Sequence, residues 1–323
     1  MRALVTGGAG FIGSHLVDAL VARGDTCTVL DDLSRGDAAN LDHLRDAVTL
    51  VHGTVTDAAT VADAIRGQDA VFHLASVVGV QSTIDDPTRV IDVAITGTLN
   101  VLRSAPPEAA VLVASSSEVF GQSEAVPFDE ATPAALGSTA VRRWSYAHAK
   151  ACVEHLAFDA GRTRQRPPAV VRYFNVYGPR MPRAVDPSVV SRFLAAAAAD
   201  EPLRVFDGTQ TRNFTYVSDA VDGTLAALSG AAGQVVNLGG PEETSVAELA
   251  RLVVEVTGSD SVVDVVERPA EMGAPDEEPR RRSASGALAR TLLGWRPTVP
   301  LRDGLERTWA AWSDQPVPSA PTG

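Results

Sequence analysis

A short apolar run, Arg2-Ala3-Leu4-Val5, is followed by Thr6-Gly7-Gly8-Ala9-Gly10-Phe11-Ile12-Gly13, and a stretch of helical periodicity then continues to Arg23. The run reads as a buried parallel strand, so three glycines at a GxxGxxG spacing fall where a strand turns into a helix. Gly7 permits a tight turn, Gly10 lets the backbone approach a pyrophosphate, and Gly13 allows close helix packing. Phe11 and Ile12 open the helix, whose free N–H groups and dipole hold the anion. Glycine spacing alone is a weak signal in a chain with 26 glycines, so context decides. A second apolar strand, Thr26 to Leu30, ends in Asp31-Asp32, and Asp31 lies 18 positions after Gly13. A carboxylate there accepts hydrogen bonds from an adenosine ribose and repels a 2′-phosphate, which predicts NAD instead of NADP.

The 323 residues can bury one large core or two modest ones, and 45% hydrophobic content with 21% charge suits a globular protein. Apolar runs such as Ala109 to Ala114 are far shorter than a bilayer requires, and the N-terminal residues read as strand and phosphate loop instead of signal peptide, so no membrane association and a cytoplasmic location are expected. Cys27 and Cys152 sit in apolar segments, and the six histidines lack ligand spacing, so neither a disulfide framework nor a metal site is expected. A net charge of −12 opposes nucleic-acid binding, and an anionic small ligand must meet local arginines. The tail from Gln315 to Gly323, rich in Pro, Ser and Thr, reads as disordered.

Apolar segments recur at Val48–Val51, Ala70–Leu74, Val111–Ala114 and Val170–Tyr173, separated by helical stretches such as Asp57–Arg66 and Pro87–Ser104. This βαβ rhythm predicts an α/β fold with a doubly wound parallel (Rossmann) sheet. Beyond Gly178-Pro179 a smaller C-terminal α/β lobe is expected, with helices at Ser188–Ala199, Ser218–Leu228 and Ser245–Val256 and strands at Leu203–Phe206, Val235–Leu238 and Val262–Val266. The division expected is 1–178 for the cofactor, 179–314 for the substrate and 315–323 as tail, with some segments crossing between lobes.

Ligands in open α/β sheets bind beyond the carboxyl ends of the strands. Tyr146 and Lys150, at i and i+4, share a helix face, where an ammonium and a nicotinamide cation favour the phenolate and make Tyr146 a base for a sugar hydroxyl. Ser115-Ser116-Ser117-Glu118 follows the Val111–Ala114 strand and delivers hydroxyls and a carboxylate to the same cleft.

At this point the chain resembles the extended short-chain dehydrogenases that act on nucleotide-sugars, from residue 3 to about residue 312. The matching segments are Thr6–Leu16, His73-Leu74-Ala75-Ser76, Ser115–Gly121, Tyr146–Lys150, Arg172–Arg180 and Arg212–Asp219. The resemblance implies catalytic roles for Ser116, Tyr146 and Lys150, and it puts Asp57 near the adenine and Leu74 and Ala75 at the cofactor. It also implies that Asn175 and Arg212 are diphosphate or ribose ligands, that Leu203–Phe206 covers the base with Phe206, and that an arginine of Arg280-Arg281-Arg282 faces the diphosphate. Arg282 is the preferred candidate and Arg281 its rival; the bidentate guanidinium suits the anion. Relatives pair through helices corresponding to Pro87–Ser104 and Tyr146–Gly161, which implies a homodimer.

All such enzymes first oxidise the sugar C4 hydroxyl, so the groups handling the 4-keto intermediate decide the outcome. Ser117-Glu118 is similar to the Ser-Glu of UDP-glucuronate decarboxylases, although GDP-mannose dehydratases share it; dTDP-glucose dehydratases carry Asp-Glu. Arg143-Trp144 and the stretches Glu201–Phe206, Gln210–Arg212 and Val236–Glu243 also resemble the decarboxylases. The leading expectation is therefore decarboxylation of UDP-glucuronic acid to UDP-xylose, UDP-4-ketoxylose or both, with Glu118 or a water it orients managing the proton at C5. Val77–Ser82 looks more like a 4-epimerase, and Phe120 stands where a tyrosine is usual. A UDP-sugar 4-epimerase, then a 4,6-dehydratase, then a nucleotide-sensing binding protein without turnover are the alternatives.

Overall fold

The computed structural model describes residues 1–183, 186–267 and 279–313. The tail 315–323 and the acidic run Asp276-Glu277-Glu278 lie outside the described residues.

Through Tyr173 the chain alternates strands β1 (Arg2–Thr6), β2 (Thr26–Asp31), β3 (Val48–His52), β4 (Ala70–His73), β5 (Ala110–Ser116) and β6 (Ala169–Tyr173) with helices α1 (Phe11–Ala22), α2 (Ala58–Ile65), α3 (Val80–Asp85), α4 (Pro87–Ser104) and α5 (Ser145–Gly161). The inner strands are largely apolar because both faces are covered: Leu4, Val29, Val71, Leu112 and Val170 are fully buried, whereas β3 at the edge is half-exposed. Asp86 receives the Arg89 N–H at 3.0 Å and Pro87 occupies the first helical turn, so α4 starts where its residues can satisfy the exposed amides.

The later residues form β7 (Val176–Tyr177), α6 (Val189–Ala198), β8 (Leu203–Phe206), β9 (Thr211–Asn213), β10 (Thr215–Tyr216), α7 (Val217–Gly230), β11 (Val235–Leu238), β12 (Glu243–Ser245), α8 (Val246–Thr257), β13 (Val263–Val266), β14 (Arg281–Arg282), α9 (Ala287–Leu293) and α10 (Leu301–Ser313). Among the described residues the main sheet has seven strands in the order β11-β6-β5-β4-β1-β2-β3, all parallel. The order reverses between β1 and β4, which opens a crevice at their carboxyl ends.

One expectation needs correcting. Val235–Leu238 does not lie in a separate C-terminal lobe: β11 pairs with β6 at the edge of the main sheet, with Val236 and Leu238 fully buried. Helix α7 makes the crossover and covers one sheet face together with α1, while α2, α4 and α5 cover the other. The remaining small strands form two- and three-stranded sheets beyond the carboxyl ends; β14 and β12 flank β9 in one of them. Among the described residues no helix is long and apolar enough to cross a membrane.

Candidate active site

The glycine loop closes on itself. Gly7 has φ +72°, and a Cβ there would lie 2.8 Å from the Ala75 amide nitrogen; at Gly13 it would lie 2.1 Å from the Gly7 carbonyl oxygen. Both glycines are thus required by the fold. Gly10 differs, because its Cβ would meet only the Gly7 oxygen, at 3.2 Å, and it opens α1 without a side-chain cap. The first amides of α1, at Phe11 and Ile12, therefore face the crevice with no side-chain acceptor of their own. Asp31, buried, accepts from Ala9 N at 3.0 Å and Leu33 N at 2.9 Å and so fastens the loop, whereas Asp32 accepts from Ser34 N at 3.0 Å. Burial pushes the Asp31 carboxyl upward, against those two backbone bonds. Asp57 caps α2, taking the Ala59 N–H at 3.0 Å and the Thr60 hydroxyl at 2.5 Å. Leu74 N donates to the Thr6 carbonyl at 3.1 Å, which lays Leu74-Ala75 against the loop.

At the end of β5, Ser116 hydrogen-bonds the Tyr146 phenol, and the Lys150 ammonium donates to the Ala114 carbonyl at 2.9 Å, 5.8 Å from the Tyr146 ring centre. Lys150 is the single lysine among 28 lysine and arginine residues. Arginine holds its charge at any ordinary pH, whereas a buried amine can titrate, and burial brings Lys150 down to about 8 against the opposing pull of Glu154. The expected depression of the phenol is not produced by the protein groups alone. Burial pushes Tyr146 up to about 12, Ser116 pulls the other way, and the Lys150 ammonium is engaged by a carbonyl. His73, buried behind Lys150 between the hydroxyls of Thr6 and Thr98, is held neutral by burial and that ammonium.

Glu118 sits in a short 3-10 turn, Ser117–Phe120, directly after β5, with Ser117 buried. Its Oε2 accepts from Arg143 at 3.2 Å and its Oε1 from Arg282, whose side chains are 8% and 4% exposed. Burial raises the carboxyl, but the two guanidiniums outweigh it and hold Glu118 at about 2. Both arginines, expected on the substrate, meet this carboxylate first. Arg282 keeps its Nε and Nη2 buried with no hydrogen-bond partner, donors that an anion can take. Its rival Arg281 is exposed and engaged with Glu243 at 2.8 and 2.9 Å. Beneath the turn Phe120 stacks on Phe128 with ring centres 4.3 Å apart, so this position needs no hydroxyl.

The remaining expected ligands lie around this cluster. Asn175, at φ +34°, donates to the Asn213 carbonyl at 2.8 Å; Arg212 donates to the Thr211 carbonyl at 2.8 Å; Phe206 ends β8 with Arg192 5.9 Å from its ring centre. Val77–Ser82 is held from the second half of the chain, because Asp186 accepts from Gln81 N at 2.9 Å and Ser82 N at 2.7 Å. Gly79, at φ +128°, leaves room for that carboxylate, which a Cβ would meet at 2.1 Å.

Residues 3–239 match the model of the NAD dependent epimerase/dehydratase family. The chain belongs to this family. It is 36% identical to a UDP-N-acetyl-alpha-D-glucosaminuronate decarboxylase of Bacillus cytotoxicus, over 95% of this chain and 96% of that protein. It is also 34% identical to UDP-glucuronic acid decarboxylase 1 of Xenopus tropicalis, over 95% of this chain and 71% of the other. Among solved structures, a UDP-glucuronic acid 4-epimerase from Bacillus cereus in complex with UDP-glucuronic acid and NAD superposes with a TM-score of 0.85 and 28% identity, over 97% of this chain and 99% of that one.

NAD is the cofactor of this epimerase/dehydratase-family chain, and its residues fit the group: Gly10 lacks a side chain where a Cβ would touch only the Gly7 oxygen, next to uncapped helix amides. Two buried residues escape the sequence reading. Glu154 on α5 and Arg172 on β6 form a bidentate pair, Nε to Oε1 at 2.8 Å and Nη2 to Oε2 at 2.7 Å. The available signal is an arginine inside an otherwise apolar strand, which must find an anion.

Proposed function

We propose that the chain binds a UDP-sugar and NAD and decarboxylates UDP-glucuronic acid. The observation that carries this reading is the clamped carboxylate, Glu118 between Arg143 and Arg282. A dehydratase needs an acid for the departing C6 hydroxyl, and a carboxyl held at about 2 has no proton to give near neutral pH. A 4-epimerase needs only freedom for the ketone to turn over. A decarboxylase needs the developing charge met at the C4 oxygen, beside the hydrogen-bonded Ser116 and Tyr146, and no acid at C6; Arg282 offers two unused donors to an anionic group of the substrate.

When bound, NAD supplies the positive charge that favours a phenolate and accepts the hydride from sugar C4. Tyr146 takes the proton of the 4-hydroxyl, with Ser116 hydrogen-bonded to the same oxygen and Lys150 stabilising the phenolate. The resulting ketone makes the C5 carboxylate a β-keto acid, which releases CO₂ and leaves its electron pair on the enolate. Glu118, being ionised, orients the water that protonates C5; return of the hydride to C4 with the proton from Tyr146 gives UDP-xylose, and release before that return leaves UDP-4-ketoxylose. Ser117 and Arg143 shape the sugar pocket, Asn175 and Arg212 hold the diphosphate or ribose, and Phe206 covers the base. Asp31, with Asp32, faces the coenzyme ribose through its remaining lone pairs, and Asp57 faces the adenine. The two decarboxylase relatives differ by name in the C2 group of the sugar, whereas decarboxylation at C5 is common to both. Residues 1–178 carry the coenzyme site, and the nucleotide-sugar site is shared between them and the lobe of residues 179–314, in a cytoplasmic homodimer. Ile91 on α4 and Phe158 on α5, 40% and 38% exposed, supply apolar area for the pairing.

Purified protein incubated with UDP-glucuronate, and in parallel with its C2-acetamido analogue, is followed by CO₂ release, NADH absorbance and product mass. CO₂ with UDP-xylose or UDP-4-ketoxylose is expected. An isomer of unchanged mass overturns the reading in favour of a 4-epimerase, loss of water in favour of a dehydratase, and binding without conversion in favour of a sensor. Tyr146→Phe retains NAD and loses turnover; substantial activity in that variant refutes the assigned base.

A further inference from the structure

Glu154 lies one helical turn beyond Lys150 and is buried at 7% exposure. Its Oε1 accepts the Ser115 hydroxyl at 2.5 Å as well as Arg172, so every polar partner it has comes from β5 or β6. Ser115 stands between Ala114, whose carbonyl receives the Lys150 ammonium, and Ser116, whose hydroxyl meets Tyr146. Arg172 extends the clamp by donating to the Glu130 carbonyl at 3.2 Å and lying over the Phe120 ring at 4.8 Å.

The groups around Lys150 leave Glu154 as its counter-charge. From β4, His73 is neutral; from β6, Arg172 is committed to Glu154; from the turn after β5, Glu118 is committed to Arg143 and Arg282; on α5 itself, Tyr146 is an uncharged phenol. Resting on the catalytic reading above, we propose that Glu154, locked by Arg172, is a positioning residue that keeps Lys150 an ammonium and pins the Ser115-Ser116 edge against Tyr146. Replacement of the carboxylate removes an opposite charge and leaves Arg172 as a buried like charge, and both changes disfavour the protonated amine.

The single lysine makes a direct test available. Protein labelled with ¹³C-lysine gives one side-chain Cε signal, that of Lys150, and its titration requires neither substrate nor turnover. In Glu154→Gln the midpoint falls by at least about one pH unit, and the alkaline limb of kcat moves down with it. In Ser115→Ala the midpoint stays and kcat falls several-fold. A purely structural Glu154 lowers kcat at every pH and leaves the midpoint unmoved, and that result overturns the proposal. If Glu154→Gln does not fold, Glu154→Gln combined with Arg172→Met strands neither charge; with the like charge gone as well the midpoint falls by less than in the single variant, and a midpoint equal to that of wild type overturns the proposal. Failure of the decarboxylase reading shows as wild-type protein without CO₂ release, whereas the lysine titration still decides the role of Glu154.

Discussion

Glu118→Gln isolates the charge at the centre of the site while keeping the side-chain volume. The fall of the carboxyl from an ordinary 4.5 to about 2 corresponds to about 3 kcal/mol in favour of the ionised form, summed over Arg143, Arg282 and the opposing effect of burial. The amide keeps one acceptor and loses the charge, so both guanidiniums lose the anion between them, and a loss of about 3 kcal/mol at pH 7 is expected. Because the folded carboxyl titrates below its unfolded value, this contribution is complete above about pH 4.5 and drains away as the pH falls towards 2. Urea unfolding of wild type and variant across that window measures it. In parallel, CO₂ release from UDP-glucuronate falls by about 100-fold or more, the scale of a positioned proton-handling group, while NAD stays bound. Equal stability of the two proteins at pH 7, a gap that persists unchanged towards pH 2, or full turnover in the variant refutes the reasoning.

Gly10→Ala separates ligand from fold: its Cβ has a single neighbour, so melting is expected within about 0.5 kcal/mol of wild type while the NAD dissociation constant rises at least tenfold; unchanged retention of NAD removes Gly10 from the coenzyme site. Arg281→Ala removes an exposed ion pair that solvent screens and leaves turnover near normal, whereas Arg282→Ala abolishes it; equal turnover in the two variants, measured as CO₂ release, refutes the choice between these neighbours.

The sheet is legible in the residues because the part of a strand buried on both faces has to be apolar, as residues 110–114 and 169–171 are, with the polar Ser115, Ser116 and Arg172 confined to the carboxyl ends. What chain order conceals is spatial order: Val235–Leu238 reads as a strand, but nothing local says that it pairs with residues 170–173. The site follows the same division. Tyr146 and Lys150 announce themselves by helical spacing, and Glu118 by its place after a strand. The clamp on Glu118 is invisible, since its partners lie 25 and 164 positions away. The phenol misleads for a related reason: adjacency to an ammonium can be read from spacing, whereas a buried surrounding and a competing carbonyl cannot.

The placement of β11 also governs how the chain is made. A ribosome that has released only the first 178 residues exposes β6 as an unpaired edge, with its outer row of N–H and C=O groups awaiting a strand sixty residues further on. Until Leu238 emerges the nascent sheet is a template for pairing with the wrong chain, and a cut at 178 for expression inherits the same hazard. Expression boundaries that respect this protein run through the second half of the chain.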